Sequence, residues 1–316
     1  MLRAALAAFV VAVLLVPVGA RPERRVTIAA VGDVLFDRGV RDAIERRGVD
    51  ALLAPTGAIL ARADLAVCNL ECPLSTRGLR AAKPFSFRGE PASAGALARA
   101  GFDAASLANN HTLDYGRTAL LDTAAALESA GIVAVGAGAT RSEAMRARIL
   151  ERNGLRVALL AYCQLFIEGT TPRTDAPGVA SGDEDALVAS VRDAAAASDA
   201  VVVMVHWGAE YRARPTTAQR DLARRLVAAG ATFVAGAHPH VLQPVERSGR
   251  SVVAYSLGNF VFDQRRPEAR DSAILLVTVG ERGVEAVDAV PVVIDDCTPA
   301  PAGAGDSARI RRSLGL

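Results

Sequence analysis

The chain reads as an α/β domain with two packed sheets and helices outside them. Three observations predict it. Through the first two thirds of its 316 residues, short apolar runs alternate with helical patterns, as successive βα units do. The runs at 155–162 and 200–205 carry no polar alternation, which marks strands buried on both faces. Beyond residue 230 the spacing changes to short strands joined by tight turns, an order that suits two packed sheets better than one open sheet.

The elements follow in order. Residues 26–31 form a first strand, 41–47 and 52–62 two helices, and 65–68 a second strand. A polar loop runs over 73–90. The helix at 94–100 stops at Gly101 and the one at 118–130 at Gly131, with a third strand at 103–108 between them; glycine just past a helix end takes the left-handed backbone that closes it. The strands at 155–162 and 200–205 are followed by helices at 185–197 and 217–229, the second ending at Gly230. Strands at 232–237, 243–246, 252–256, 273–279 and 284–290 complete the pattern. Ser248-Gly249-Arg250 and Glu281-Arg282-Gly283 have the composition of hairpin turns. Residues 26–294 thus make the domain, and 295–316, rich in Pro, Gly, Ala and Arg without a period, read as a flexible tail.

Composition narrows the function. Hydrophobic residues make up 51%, so the chain can bury a substantial core. Its net charge is only +2, which gives no reason to expect nucleic acid as a partner. Residues 1–20 combine Arg3, an apolar stretch from Ala4 to Val16, and small residues at Pro17-Val18-Gly19-Ala20. That is the pattern of a signal peptide or a short N-terminal anchor, and either places the folded part outside the cytoplasm. Export makes disulfides possible for Cys68, Cys72, Cys163 and Cys297. Cys68 and Cys72 either bridge or are two small buried thiols, and their spacing is not that of a zinc knuckle.

All four histidines sit at the ends of apolar runs. Six runs end in groups able to bind metal or touch substrate: Asp33; Asn69 and Glu71; Asn109, Asn110 and His111; His206 and Trp207; His238 and His240; and Asn259. Ligands of α/β sheets bind at the carboxyl ends of strands, so these residues are expected to converge on one rim. His238 and His240 alternate and so share a face.

At this point the chain resembles the CapA family of capsule synthesis proteins, named for poly-γ-glutamate capsule production. The likeness rests on Val31-Gly32-Asp33, Asn69-Leu70-Glu71, Lys83-Pro84-Phe85-Ser86-Phe87-Arg88, Asn109-Asn110-His111 with Asp114-Tyr115-Gly116, His206-Trp207-Gly208, Gly236-Ala237-His238-Pro239-His240 and Tyr255-Ser256-Leu257-Gly258-Asn259-Phe260. The resemblance implies a four-layer αββα sandwich of the metallophosphatase type, related to the calcineurin-like enzymes. It implies one or two divalent transition ions (Zn, Mn or Fe). Asp33 would bind the first, Glu71 would touch both, Asn110, His206 and His238 would complete the second, and His240 would return to the first. His111 would protonate a leaving group and Asp114 would orient it, making them the candidate catalytic pair. Arg38, Lys83 and Arg88 are candidates to neutralise an anionic substrate, and Asn69, Asn109, Trp207 and Asn259 to line its cleft. For Trp207 core packing, and for Asn109 and Asn259 turn formation, are the competing roles.

One departure stands out. Calcineurin-like enzymes usually carry a histidine two positions after the first aspartate, and here that position is Leu35. The first site would then be weak, empty, or completed by a neighbour such as Asn69 or Asp37. The functional expectation is an exported protein acting in synthesis, export or trimming of an anionic polymer through a hydrolase-like metal centre. Its partners would be the polymer or its precursor, with membrane-bound capsule components. Two alternatives remain: a non-catalytic polymer-handling component on the same scaffold, and a general exported phosphoesterase.

Overall fold

The computed structural model describes residues 24–165 and 176–316, so the segment read as a signal peptide or anchor lies outside the described residues. Within them, no helix is long and apolar enough to cross a membrane. The larger sheet has the order Thr298–Pro301, Gly283–Asp295, Asp271–Gly280, Arg25–Val34, Leu65–Leu70, Ala104–Ser106 and Val133–Val135, with Asn259–Val261 also pairing with Arg25–Val34. The second sheet runs Val245–Ser248, Ser251–Ala254, Phe233–Ala237, Ala200–His206, Leu155–Cys163 and Arg148–Arg152. Both are mixed. Arg25–Val34 is parallel to Leu65–Leu70 but antiparallel to Asp271–Gly280, and Arg148–Arg152 is antiparallel to an otherwise parallel neighbour.

Alternate side chains of each central strand enter different apolar layers, because successive residues point to opposite faces. Val26, Ile28 and Ala30 meet Leu159, Val202 and Ala235 between the sheets. Ala29 and Val31 lie on the other face, under Val40, Leu53, Leu97 and Leu127 from the helices Gly39–Arg47, Val49–Leu60, Ser93–Arg99 and Gly116–Ser129. Leu160, Val203 and Val234 face Leu187, Val191, Leu222 and Leu226 from Glu184–Ala197 and Thr217–Ala229. The result is the expected αββα order, and it explains why the central runs lack polar alternation. The Thr217–Ala229 helix shows how local sequence sets a boundary: Thr216 and Gln219 form a reciprocal capping box at its start, and Gly230, at φ 110°, closes its end.

The C-terminal segment corrects the expectation of a flexible tail. Thr298–Pro301 adds an edge strand, and Ala304–Leu314 is a helix with Ile310 and Leu314 fully buried in the layer between the sheets. Arg309 pairs with Asp271 at 2.6 Å and Arg311 with Asp288 at 3.0 Å. Two apolar residues four apart are too little to show a period in sequence, and the element is held by what it lands on. Ile310→Val should therefore cost about 1 kcal/mol in denaturant unfolding, whereas a mobile tail would not respond. All four cysteines are free and buried, which removes the Cys68–Cys72 bridge.

Candidate metal centre

The rim is made by strand ends. Arg25–Val34 and Leu65–Leu70 run parallel, with Asp33 beside Asn69, and Glu71 follows directly, its N–H donating to Val34 O at 2.8 Å. In the second sheet Ala200–His206 and Phe233–Ala237 are parallel with His206 beside Ala237, so His238 and His240 emerge next to His206. Ala104–Ser106 leads to Asn109, Asn110 and His111. The sheets' inner packing then brings the two sets together. His238 and His240 carry φ of 94° and 57°, a left-handed backbone that non-glycine residues rarely adopt and that recurs at functional sites.

Two donor sets result. One donor atom each from Glu71, His206 and His238 lie within 4.8 Å of one another, and so do those from Asp33, Glu71 and His240. Glu71 belongs to both. Its Oε1 is 3.5 Å from His206 Nε2 and 3.9 Å from His240 Nε2. Asn110 Oδ1 is 2.8 Å from His206 Nε2. Asp33 Oδ2 is 3.2 Å from His240 Nδ1 and accepts the His238 backbone N–H at 3.1 Å.

These residues fit a cation. Both carboxylate oxygens of Glu71 and Nδ1 of His238 are buried without a hydrogen-bond partner, an arrangement that costs free energy unless something binds there. Burial, and then the neighbouring Asp33 charge, push the Glu71 carboxyl well above its usual range. Burial and the other histidines hold His206 well below its ordinary value and take His238 down to about 3, so both are neutral, as ligands must be. Burial also pulls on His240, but the Glu71 and Asp33 carboxylates outweigh it and hold it up at about 9. A site with two crowded carboxylates and an imidazolium is a site poised to exchange protons for a cation.

Residues 27–264 match the family described as bacterial capsule synthesis protein PGA_cap. The chain belongs to this capsule synthesis family. It is 33% identical over 307 residues to capsule biosynthesis protein CapA of Bacillus anthracis, covering 94% of this chain and 75% of that one. PGA biosynthesis protein CapA of Bacillus subtilis (strain 168) is also 33% identical, over 274 residues, 86% of this chain and 72% of that one. Among solved structures, a 5'-nucleotidase precursor from Thermus thermophilus superposes with a TM-score of 0.54 at 16% identity, over 92% of this chain and 57% of that one. A hypothetical protein from the same organism gives 0.53 at 19%, over 84% and 98%. At such identities the likeness concerns the fold alone.

In this capsule synthesis protein the candidate catalytic pair is assembled. His111 Nδ1 lies 2.8 Å from Asp114 Oδ2, and that carboxylate also accepts the Phe87 N–H at 2.6 Å. Lys83 Nζ pairs with Asp114 Oδ1 at 2.5 Å and donates to Asn110 O at 2.8 Å. Lys83 is therefore tied to the His111–Asp114 pair and is not a free substrate cation. Burial lowers the His111 pKa against the pull of Asp114. Arg38 is clamped between rings, 4.6 Å from the Phe87 centroid and 5.3 Å from that of Phe262, and pairs with Asp263. Those rings flank His111 at 4.2 Å and His240 at 5.0 Å, which leaves Arg38 at the site. Arg88 stacks on Tyr115 at 4.3 Å instead.

Four expected cleft residues are buried and hydrogen-bonded within the protein. Trp207 is fully buried, its Nε1 donating to Tyr255 O at 2.8 Å within the helix-side core. The Asn69 amide lies between Asp33, 2.8 Å, and His206, 3.2 Å, and accepts from Asn109. Asn109 holds Leu70 O and the His111 N–H. Asn259 holds His240 Nδ1 at 2.9 Å and donates to two backbone carbonyls. With both ends of each amide committed and buried, Asn69 and Asn259 hold the side chains of His206 and His240, and Asn109 holds Asn69 and the His111 backbone. Leu35 is fully buried, its N–H donating to Val261 O, and it brings nothing to the centre. Asp37, offered as its replacement, is bound to Arg41 and the Arg88 N–H. Sequence reasoning missed Glu210, whose donor atoms lie within 4.8 Å of those of His238 and His240; the one available signal was an acid in a glycine-containing loop just after His206.

Proposed function

We propose that this chain is an exported capsule synthesis protein whose metal centre hydrolyses a bond in an anionic polymer such as poly-γ-glutamate, or in its precursor. The observation that carries this reading is Glu71: two buried, unpartnered carboxylate oxygens set between His206 and His240. Asp33, Glu71, Asn110, His206, His238 and His240 would hold one or two divalent transition ions. When bound, such ions supply Lewis-acid polarisation and lower the pKa of water. The chain's own groups do the rest. Asn69 and Asn259 fix the His206 and His240 rings. Asp114 engages Nδ1 of His111, which leaves Nε2 to take up a proton and pass it to the leaving group. Lys83 pairs with the other oxygen of Asp114 and so fixes the carboxylate's orientation toward His111. Arg38 offers a guanidinium to a carboxylate or phosphate of the substrate. The relatives' capsule biosynthesis names favour a polymer substrate over small phosphodiesters.

The test is turnover of γ-glutamyl peptides and nitrophenyl phosphoesters by protein loaded with Mn2+ or Zn2+. His111→Ala is expected to lower kcat about a hundredfold with ion content unchanged. Silence of loaded wild-type protein on both substrate classes would overturn the hydrolase reading. It would favour a non-catalytic polymer-handling role, a reading that Leu35 at the usual histidine position supports. Export rests on the pattern of residues 1–20, and membrane-bound capsule components would be the partners there.

A further inference from the structure

We infer that Glu210 is a ligand of the metal centre, closing it from the solvent side with a carboxylate where Leu35 leaves the first site without a donor. This rests on the metal-centre reading above. The first observation is position: one carboxylate oxygen of Glu210 and one nitrogen each of His238 and His240 lie within 4.8 Å of one another. Donors each about 2 Å from a common cation lie at most about 4 Å apart, so small side-chain shifts bring these three to one ion.

The second observation is how the loop is held. Trp207 N–H donates to Ala237 O at 3.2 Å, and Tyr211 N–H donates to Pro239 O at 2.8 Å. Both ends of the short segment carrying Glu210 are thus fastened to the segment that carries the two histidines. Tyr211 holds φ at 59°, its hydroxyl accepts from Gln264 Nε2 at 2.9 Å, and its ring lies 6.2 Å from that of His240. A strained backbone so anchored points to a fixed task for the residue it positions. The third observation is a need. Nδ1 of His238 is buried without a partner, and the donor set on the Asp33 side stops at Asp33, Glu71 and His240. Glu210 itself is exposed, so it approaches from the open side, and no other carboxylate among the described residues joins His238 and His240 in a ligand set. Asp33, Glu71 and Glu210 together would offset three of the four charges of two divalent ions.

The experiment is calorimetric titration of metal-free protein with MnCl2 alone, with ion content measured after gel filtration, for wild type, Glu210→Gln and Glu71→Gln. Glu210→Gln should fold normally, because the side chain is exposed. It should weaken the binding of at least one ion tenfold or more. If wild type binds Mn2+ and Glu71→Gln does not, while Glu210→Gln matches wild type, the Glu210 inference is overturned and the centre stands. If wild type binds none, both fall.

Discussion

Glu71→Gln is expected to raise the stability of the metal-free protein and to abolish its stabilisation by metal. The carboxylate is buried beside Asp33 with no hydrogen bond to either oxygen. Burial and the Asp33 charge penalise this carboxylate more than the His240 imidazolium 3.9 Å away relieves it, and the amide keeps the shape while removing the charge, so the gain above the ordinary carboxyl range should be about 1–2 kcal/mol. Saturating Mn2+ or Zn2+ reverses the order: an ion at a hundred times its Kd stabilises wild type by about 2.7 kcal/mol and the variant not at all. Thermal unfolding with chelator and with metal reads both halves. A variant less stable than wild type under chelator would show that Glu71 is satisfied within the protein and is not waiting for a cation.

The same groups give the pH dependence. Glu71 and His240 are both held above their ordinary values, His240 at about 9, so the folded metal-free chain binds these protons more tightly than the unfolded chain. Stability from His240 is fully present below its unfolded value of about 6.5 and is lost as pH rises through about 9. Glu71 has the same sign, its contribution falling away above the ordinary carboxyl range. Metal must displace these protons, so metal binding should strengthen over the range in which metal-free stability declines.

Gly32→Ala carries the second large effect. A Cβ at Gly32 would lie 1.8 Å from Gly258 O and 2.7 Å from Gly258 C, both backbone atoms with no rotamer to move. The same carbonyl accepts the Asp33 N–H at 3.0 Å, so relieving the clash drags Asp33 with it. A loss of about 3 kcal/mol or more is expected in denaturant unfolding, together with weaker metal binding. Gly305→Ala is the comparison: nothing lies within 4 Å of its Cβ position, and the residue is helical, so about 0.5 kcal/mol of stabilisation should result. Equal effects at the two positions would contradict the close approach at Gly32.

What the sequence disclosed follows from burial geometry. Strands covered on both faces must be apolar throughout, so the runs around 155–162 and 200–205 announced themselves, and polar residues at their ends stood out. Arg148–Arg152 did not, because that edge strand is half exposed and mixes polar with apolar residues, and Val133–Val135 did not, because three apolar residues are too few to show a period. The Ala304–Leu314 helix owes its place to Ile310, Leu314 and the Arg309–Asp271 pair, contacts that no local pattern encodes. The direction of a buried amide is equally silent in sequence. Asn69, Asn109 and Asn259 could be placed at the rim but not assigned to orienting histidines. Glu210 became visible only through the Tyr211–Pro239 hydrogen bond, which folds its loop over His238 and His240.

The most direct measurement is anomalous diffraction from crystals of the protein soaked in Zn2+. A peak is expected about 2.0–2.2 Å from a Glu71 carboxylate oxygen and from nitrogens of His206 and His238. An empty position there, with Glu71 hydrogen-bonded to protein groups and zinc bound only at surface acids, would contradict the metal centre on which the functional reading depends.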